Sequence, residues 1–120
     1  MKVIIDLIDD VREAINNESS FSLSVMGLKE NEKGEFVPSW QADINQYKLD
    51  KEVKKLYLFL GKENALTVGP FLSELNALSN EEMMYEVCVA YMKENCRVDA
   101  SLMGFGESFP EKKYHLFIQE

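Results

Sequence analysis

The chain has 120 residues, 46% of them hydrophobic and 28% charged, the profile of one compact domain able to bury a core without covalent staples. Thirteen basic against twenty-one acidic side chains leave a net charge of -8, which repels phosphate backbones and anionic lipid, so neither nucleic acid nor a membrane surface is an expected partner. Three prolines, six glycines and no biased tract argue against a linker or low-complexity tail, and no internal repeat is visible at periods of about 20 to 50 residues.

In MKVIIDLIDDVREAI, residues Ile4, Leu7, Ile8, Val11 and Ile15 recur at the 3 and 4 spacing of one helix face. The spacing predicts an amphipathic helix over about residues 2–17. Asp6, Asp9 and Asp10 break the apolar run before it reaches signal-peptide or membrane length, so the cytoplasm is the expected location. With Glu13 these aspartates form an acidic strip, which is either a solvated face or the electrostatic footprint of a partner with a basic surface. A straight helix face does not fold oxygens around a divalent metal.

FSLSVMGL alternates Phe21, Leu23 and Val25 against Ser22 and Ser24, the period of a strand with one buried face. After the turn KENEKG, the run EFVPSWQADI places Phe36, Trp40, Ala42 and Ile44 on one side of a second strand. Pro38 has no N–H to give to a ladder, so it implies an edge or a bulge there. KKLYLFLG is apolar on both faces and reads as a central strand. The lysines leading into it, Lys48, Lys51, Lys54 and Lys55, suit a guarded strand edge better than a phosphate site. VGPFLSELNALS then predicts a short helix, with Pro70 at its first position and Phe71, Leu72, Leu75 and Leu78 at helical spacing.

EEMMYEVCVAYMKENC, residues 81–96, holds both cysteines and three of the six methionines. Ser79 and Glu82 make a capping-box pattern before it, and Met84, Val87, Cys88, Tyr91 and Met92 follow a helical stripe. A core-facing helix is expected. Met83, Tyr85 and Val89 lie off that stripe and are surplus apolar surface, covered by the preceding helix or offered to a partner or a second copy. On a helix the two cysteines would stand about 12 Å apart, beyond disulfide reach. The only histidine, His115, lies far from both in sequence, so no metal and no cofactor are expected, and Cys88 reads as a small core hydrophobe.

The last 25 residues predict two more strands, one carrying Val98, Ala100 and Leu102 and the other Tyr114, Leu116 and Ile118. Their connection, GFGESFPEKK, sets Phe105 and Phe109 among glycines and a proline, a candidate aromatic recognition loop. No helix follows to make its glycines a phosphate site. Nothing marks a nucleophile elbow, Walker loop or zinc signature, and no catalytic residue is assigned.

The expected fold is a single α+β domain over residues 1–120, helices packed on one face of a mainly antiparallel sheet of about five strands, in the order α-β-β-β-α-α-β-β. The expected function is a small acidic, non-catalytic protein-binding module of the inhibitor, immunity-protein or dedicated-chaperone type. It would engage one protein partner with a basic face, and could pair with itself. Its candidate contacts are Asp6, Asp9, Asp10, Glu13, Phe105, Phe109, Met83, Tyr85 and Val89. The competing class is a small-ligand-binding or enzymatic domain, which should show a concave apolar pocket with converging polar groups.

Overall fold

The structure is a computed structural model and describes residues 2–15 and 20–120. Six strands close into a barrel in chain order: β1 (Ser22–Glu30), β2 (Phe36–Asp50), β3 (Lys55–Leu60), β4 (Glu86–Lys93), β5 (Cys96–Ser108) and β6 (Lys113–Gln119). Helix α1 (Ile4–Ile15) precedes β1, and α2 (Val68–Asn76) lies between β3 and β4. The β3–β4 and β1–β6 pairs are parallel and the other four antiparallel. The α+β expectation of helices on one face of an open sheet is therefore corrected to a closed mixed barrel with two short helices.

The correction turns on residues 81–96. Their capping box forms, with the Ser79 N–H donating to Glu82 Oε1 at 2.9 Å and the Glu82 N–H to Ser79 Oγ at 3.2 Å. It caps only a 3-10 turn, Glu82–Met84. Tyr85 then turns extended, because the Ile4 N–H donates to its carbonyl at 3.0 Å and the Val87 N–H donates to Lys2 O at 2.9 Å. From there β4 runs between β3 and β5, and Val87 and Val89 are fully buried. The segment carries a helical stripe and a two-residue alternation at once, and ladder bonds on both sides select the second.

The barrel is built from two similar halves. Before α1, Val3 bridges to Glu86 at the start of β4; before α2, Thr67 bridges to Ser22 at the start of β1. The flanking bonds repeat as well: Ile4 N–H to Tyr85 O and Val87 N–H to Lys2 O on one side, Val68 N–H to Phe21 O and Leu23 N–H to Leu66 O on the other. Each helix then leads into three antiparallel strands. Arg12 donates to Asn76 Oδ1 at 3.0 Å, 64 positions further on, so it meets the residue that occupies its own place in the other half. The parallel pairs are the two seams where the halves join.

The long middle strand of each half bends and serves both sheets. β2 pairs with β1 through Asp43 and with β3 from Ile44, while β5 pairs with β4 through Ser101 and with β6 from Leu102. A register shift accompanies each bend, and the buried Ile44 and Leu102 mark the corners. Pro38 sits at a further shift in the β1–β2 ladder, where its missing N–H costs no regular bond.

One core fills the interior. Ile4, Leu7, Ile8 and Val11 of α1 and Val68, Phe71 and Leu75 of α2 join Leu23, Val25, Leu56, Leu58, Val87, Val89, Leu116 and Ile118 from the strands. The periodicity of α1 thus gives its buried face; the expected continuation to residue 17, and the side chain of Ile15, lie outside what the structure describes. α2 starts two residues before the expected Pro70, at Val68, and Pro70 is its third residue, still in the first turn where an N–H would have no helical partner.

Candidate binding cleft

β1 and β4 begin beside the helices, and near their far ends the barrel interior is closed by two rings. Trp40 of β2 lies against Gly27, where an added Cβ would come within 2.3 Å of the indole. Only a glycine leaves room for that ring. Trp40 then reaches Tyr91 of β4, with ring centroids 5.4 Å apart. Beside this pair β3 stops at Leu60, β2 has bent away, and β4 runs on to Lys93. The gap is a cleft of about 630 Å³ whose walls include Trp40, Ala42, Phe59, Leu60, Tyr91 and Met92. Met92 is 66% exposed, so the apolar wall is open to water. Lys93 and Glu120 stand at the rim.

A second cleft of about 570 Å³ adjoins the first, sharing Ala42 and Leu60, with Gln41, Asp43, Lys62 and Lys113 around it. Lys113 Nζ lies 3.5 Å from the Asp43 carboxylate. Lys62 and Lys93 make no ion pair among the described residues. The two clefts together are an apolar patch edged by lysines on an acidic molecule.

The residues marked in the sequence are not gathered into one site. Asp6, Asp9 and Glu13 are exposed, but Asp6 accepts the Val3 N–H at 3.0 Å and the half-buried Asp10 accepts the Tyr114 hydroxyl. Burial, with Asp10 second, pushes the Tyr114 hydroxyl far above the ordinary tyrosine range. One member of the strip is thus committed to the fold. Tyr85 and Val89 are buried, and Met83 packs half-buried against the core, so the expected surplus apolar face of a helix does not exist. Phe105 belongs to β5 and stacks on Tyr114, with centroids 6.1 Å apart, instead of standing on a loop. Phe109 is 56% exposed, edge-on to Phe21.

The cysteines lie on neighbouring strands, Cys88 buried and Cys96 exposed. Burial first, and then the nearby Glu86, push the Cys88 thiol up to about 11. His115 is buried, with Nδ1 lacking a partner among the described residues, and desolvation lowers its pKa. Among the described residues no group of three or more His, Cys, Asp or Glu is placed to hold a metal, and no helix is long and apolar enough to cross a membrane.

Comparison with protein-family models, curated proteins and solved structures finds nothing that matches this chain. The sequence reading passed over Trp40, Phe59 and Tyr91 as site residues. The available signal was the single tryptophan of the chain, two residues after a strand proline. It could mark a ring at a barrel end, but not the distant β4 residue that meets it.

Proposed function

We propose that the chain is a non-catalytic binding module that takes an apolar group of a protein partner into the cleft beside Trp40. The observation that carries this reading is the gathering of Trp40, Phe59, Leu60, Tyr91 and the exposed Met92 around one open concavity. Aromatic and methionine side chains are enriched in interface cores, and a concave apolar surface is where a single buried anchor contributes most. The contact therefore moves from α1 and the β5–β6 connection to the opposite end of the barrel. Two cysteines without a bridge, one of them exposed, suit a reducing compartment, and we place the protein in the cytoplasm on that ground.

A small apolar ligand is the second reading, favoured by the cleft volume, which falls in the usual range for such sites at barrel mouths. The polar residues near it, Lys93 and Glu120, are exposed at the rim and do not converge on its floor. That arrangement orients a small molecule poorly and admits a side chain carried on a backbone.

The test is purification of the tagged protein from its own host beside a Met92→Glu variant. A protein retained by the wild type and weakened about tenfold or more by Met92→Glu supports the cleft. Retention that ignores Met92→Glu but is lost when Asp9 and Glu13 are neutralised returns the contact to α1. A small-molecule adduct in native mass spectrometry, absent from Met92→Glu, favours the second reading.

A further inference from the structure

We infer that the occupant of the cleft is an extended, acid-flanked apolar segment of a partner protein that adds as a strand to the free edge of β2, an inference that rests on the binding reading above. The leading half of β2, Phe36–Asp43, is hydrogen-bonded as a strand only to β1. On its other side, pairing with β3 starts at Ile44, and the last carbonyl before that, Asp43 O, takes the Gly61 N–H at 3.0 Å. Main-chain groups alternate sides along an antiparallel strand, so those of Gln41 face the same way as Asp43 and meet no strand. Such an edge is a template for another chain.

The cleft lies along this edge. A guest strand there would lay alternate side chains into the concavity between Trp40 and Met92, while Phe36 and Val37, 42% and 40% exposed, extend the apolar edge outward. Pro38 offers no N–H and limits how far the pairing can run in that direction. By the two-fold relation β5 has the same open half-edge before Leu102. There the residues alongside are charged, with Arg97 bonding Asp99 at 2.8 Å, where β2 offers Trp40 and Gln41.

Charge decides the kind of segment. Lys113 is paired with Asp43, which leaves Lys62 and Lys93 beside the two clefts with no ion pair among the described residues, on a chain of net charge -8. Carboxylates at the ends of the guest segment complement these lysines.

The probe is a synthetic peptide of alternating valine and threonine around one leucine, with glutamate at each end, titrated against the emission of Trp40, the only tryptophan. Two companions keep its length: one with lysine ends, the other N-methylated at alternate residues, which keeps the side chains but cannot complete a ladder. The glutamate-ended peptide should bind at least tenfold tighter than either companion. Lys62→Glu with Lys93→Glu, both at exposed positions, should reverse the preference for glutamate ends. Equal binding of the N-methylated peptide overturns the added strand and leaves the cleft reading standing. Equal binding of the lysine-ended peptide overturns the acidic partner. If no peptide binds while Met92→Glu still releases the host protein, the extended segment is wrong and the cleft is right; if Met92→Glu releases nothing either, both fall.

Discussion

His115 faces outward from β6, yet it is buried opposite Ser24, whose hydroxyl donates to Ala42 O at 3.1 Å. Desolvation holds its pKa below 6.5 in the folded chain, so the unfolded chain takes up the proton first as pH falls. The stability tied to neutral His115 is complete above about pH 6.5 and is lost as pH falls through the lower folded value. The thermal midpoint should therefore drop between pH 7.5 and 5.5, and His115→Gln should flatten that slope; parallel slopes would assign it to carboxylates. Cys88 works at the other end of the scale. Its folded pKa of about 11 lies above 9.0, so the stability it contributes is complete below pH 9 and fades towards 11. In the native protein a thiol reagent at pH 8 should label Cys96 and spare Cys88 until unfolding. At this scale much was legible: Ile4, Leu7, Ile8 and Val11 are buried as their spacing predicts, and Cys88 is the buried small residue it reads as. Val89 was not, because a residue off a helical stripe and a residue on the inner face of a strand look alike until the period is known.

Elements were legible where one period dominated. α1 and β1 each have one clean period and form where it places them, β3 forms on its continuous apolar run, and β2 runs past the expected Ile44 to Asp50, through Lys48. Residues 81–96 have two, and their choice is made by Lys2 and Ile4, some eighty positions away in the chain and invisible to any local pattern. The same dependence on a distant partner hid the cleft, since Trp40 is half-buried only by virtue of Gly27 beneath it and Tyr91 across from it. Gly27→Ala should therefore displace the indole. The expected cost is about 1 to 3 kcal/mol, as for other overpacked sites, with a shift in Trp40 emission towards that of exposed tryptophan. Unchanged emission would mean that the ring does not rest on Gly27. Leu58, fully buried in β3 between β2 and β4, should lose about 2 to 5 kcal/mol as Leu58→Ala in denaturant unfolding. A loss under about half a kcal/mol would remove β3 from the core.

For the whole molecule, the two halves agree in hydrogen bonding while their side chains diverge. Leu7 corresponds to Phe71, Val25 to Val89 and Gly27 to Tyr91, so the apolar class mostly persists while the identities do not. A repeat of that length and divergence leaves no visible self-similarity in the sequence, although it dictates the closure: each unit of helix and three strands leaves two outer strands with an open edge, and parallel joining at β3–β4 and β1–β6 satisfies all four at once. Closure of this kind predicts an uneven pattern of amide exchange. The seams hold together strands distant in the chain and lie at the centre of each sheet, so amides of Leu23, Val25, Leu56 and Leu58 should exchange only on global unfolding. In the leading half of β2 the amide of Gln41 points to the unpaired side and should exchange orders of magnitude faster than its neighbours bonded to β1. Addition of a peptide that pairs with this edge should slow Gln41 while leaving the seams unchanged. Strong protection of Gln41 in the free protein would show that the edge is already covered in solution, and the apolar cleft beside it would then be an interface between copies of the chain instead of a seat for another protein.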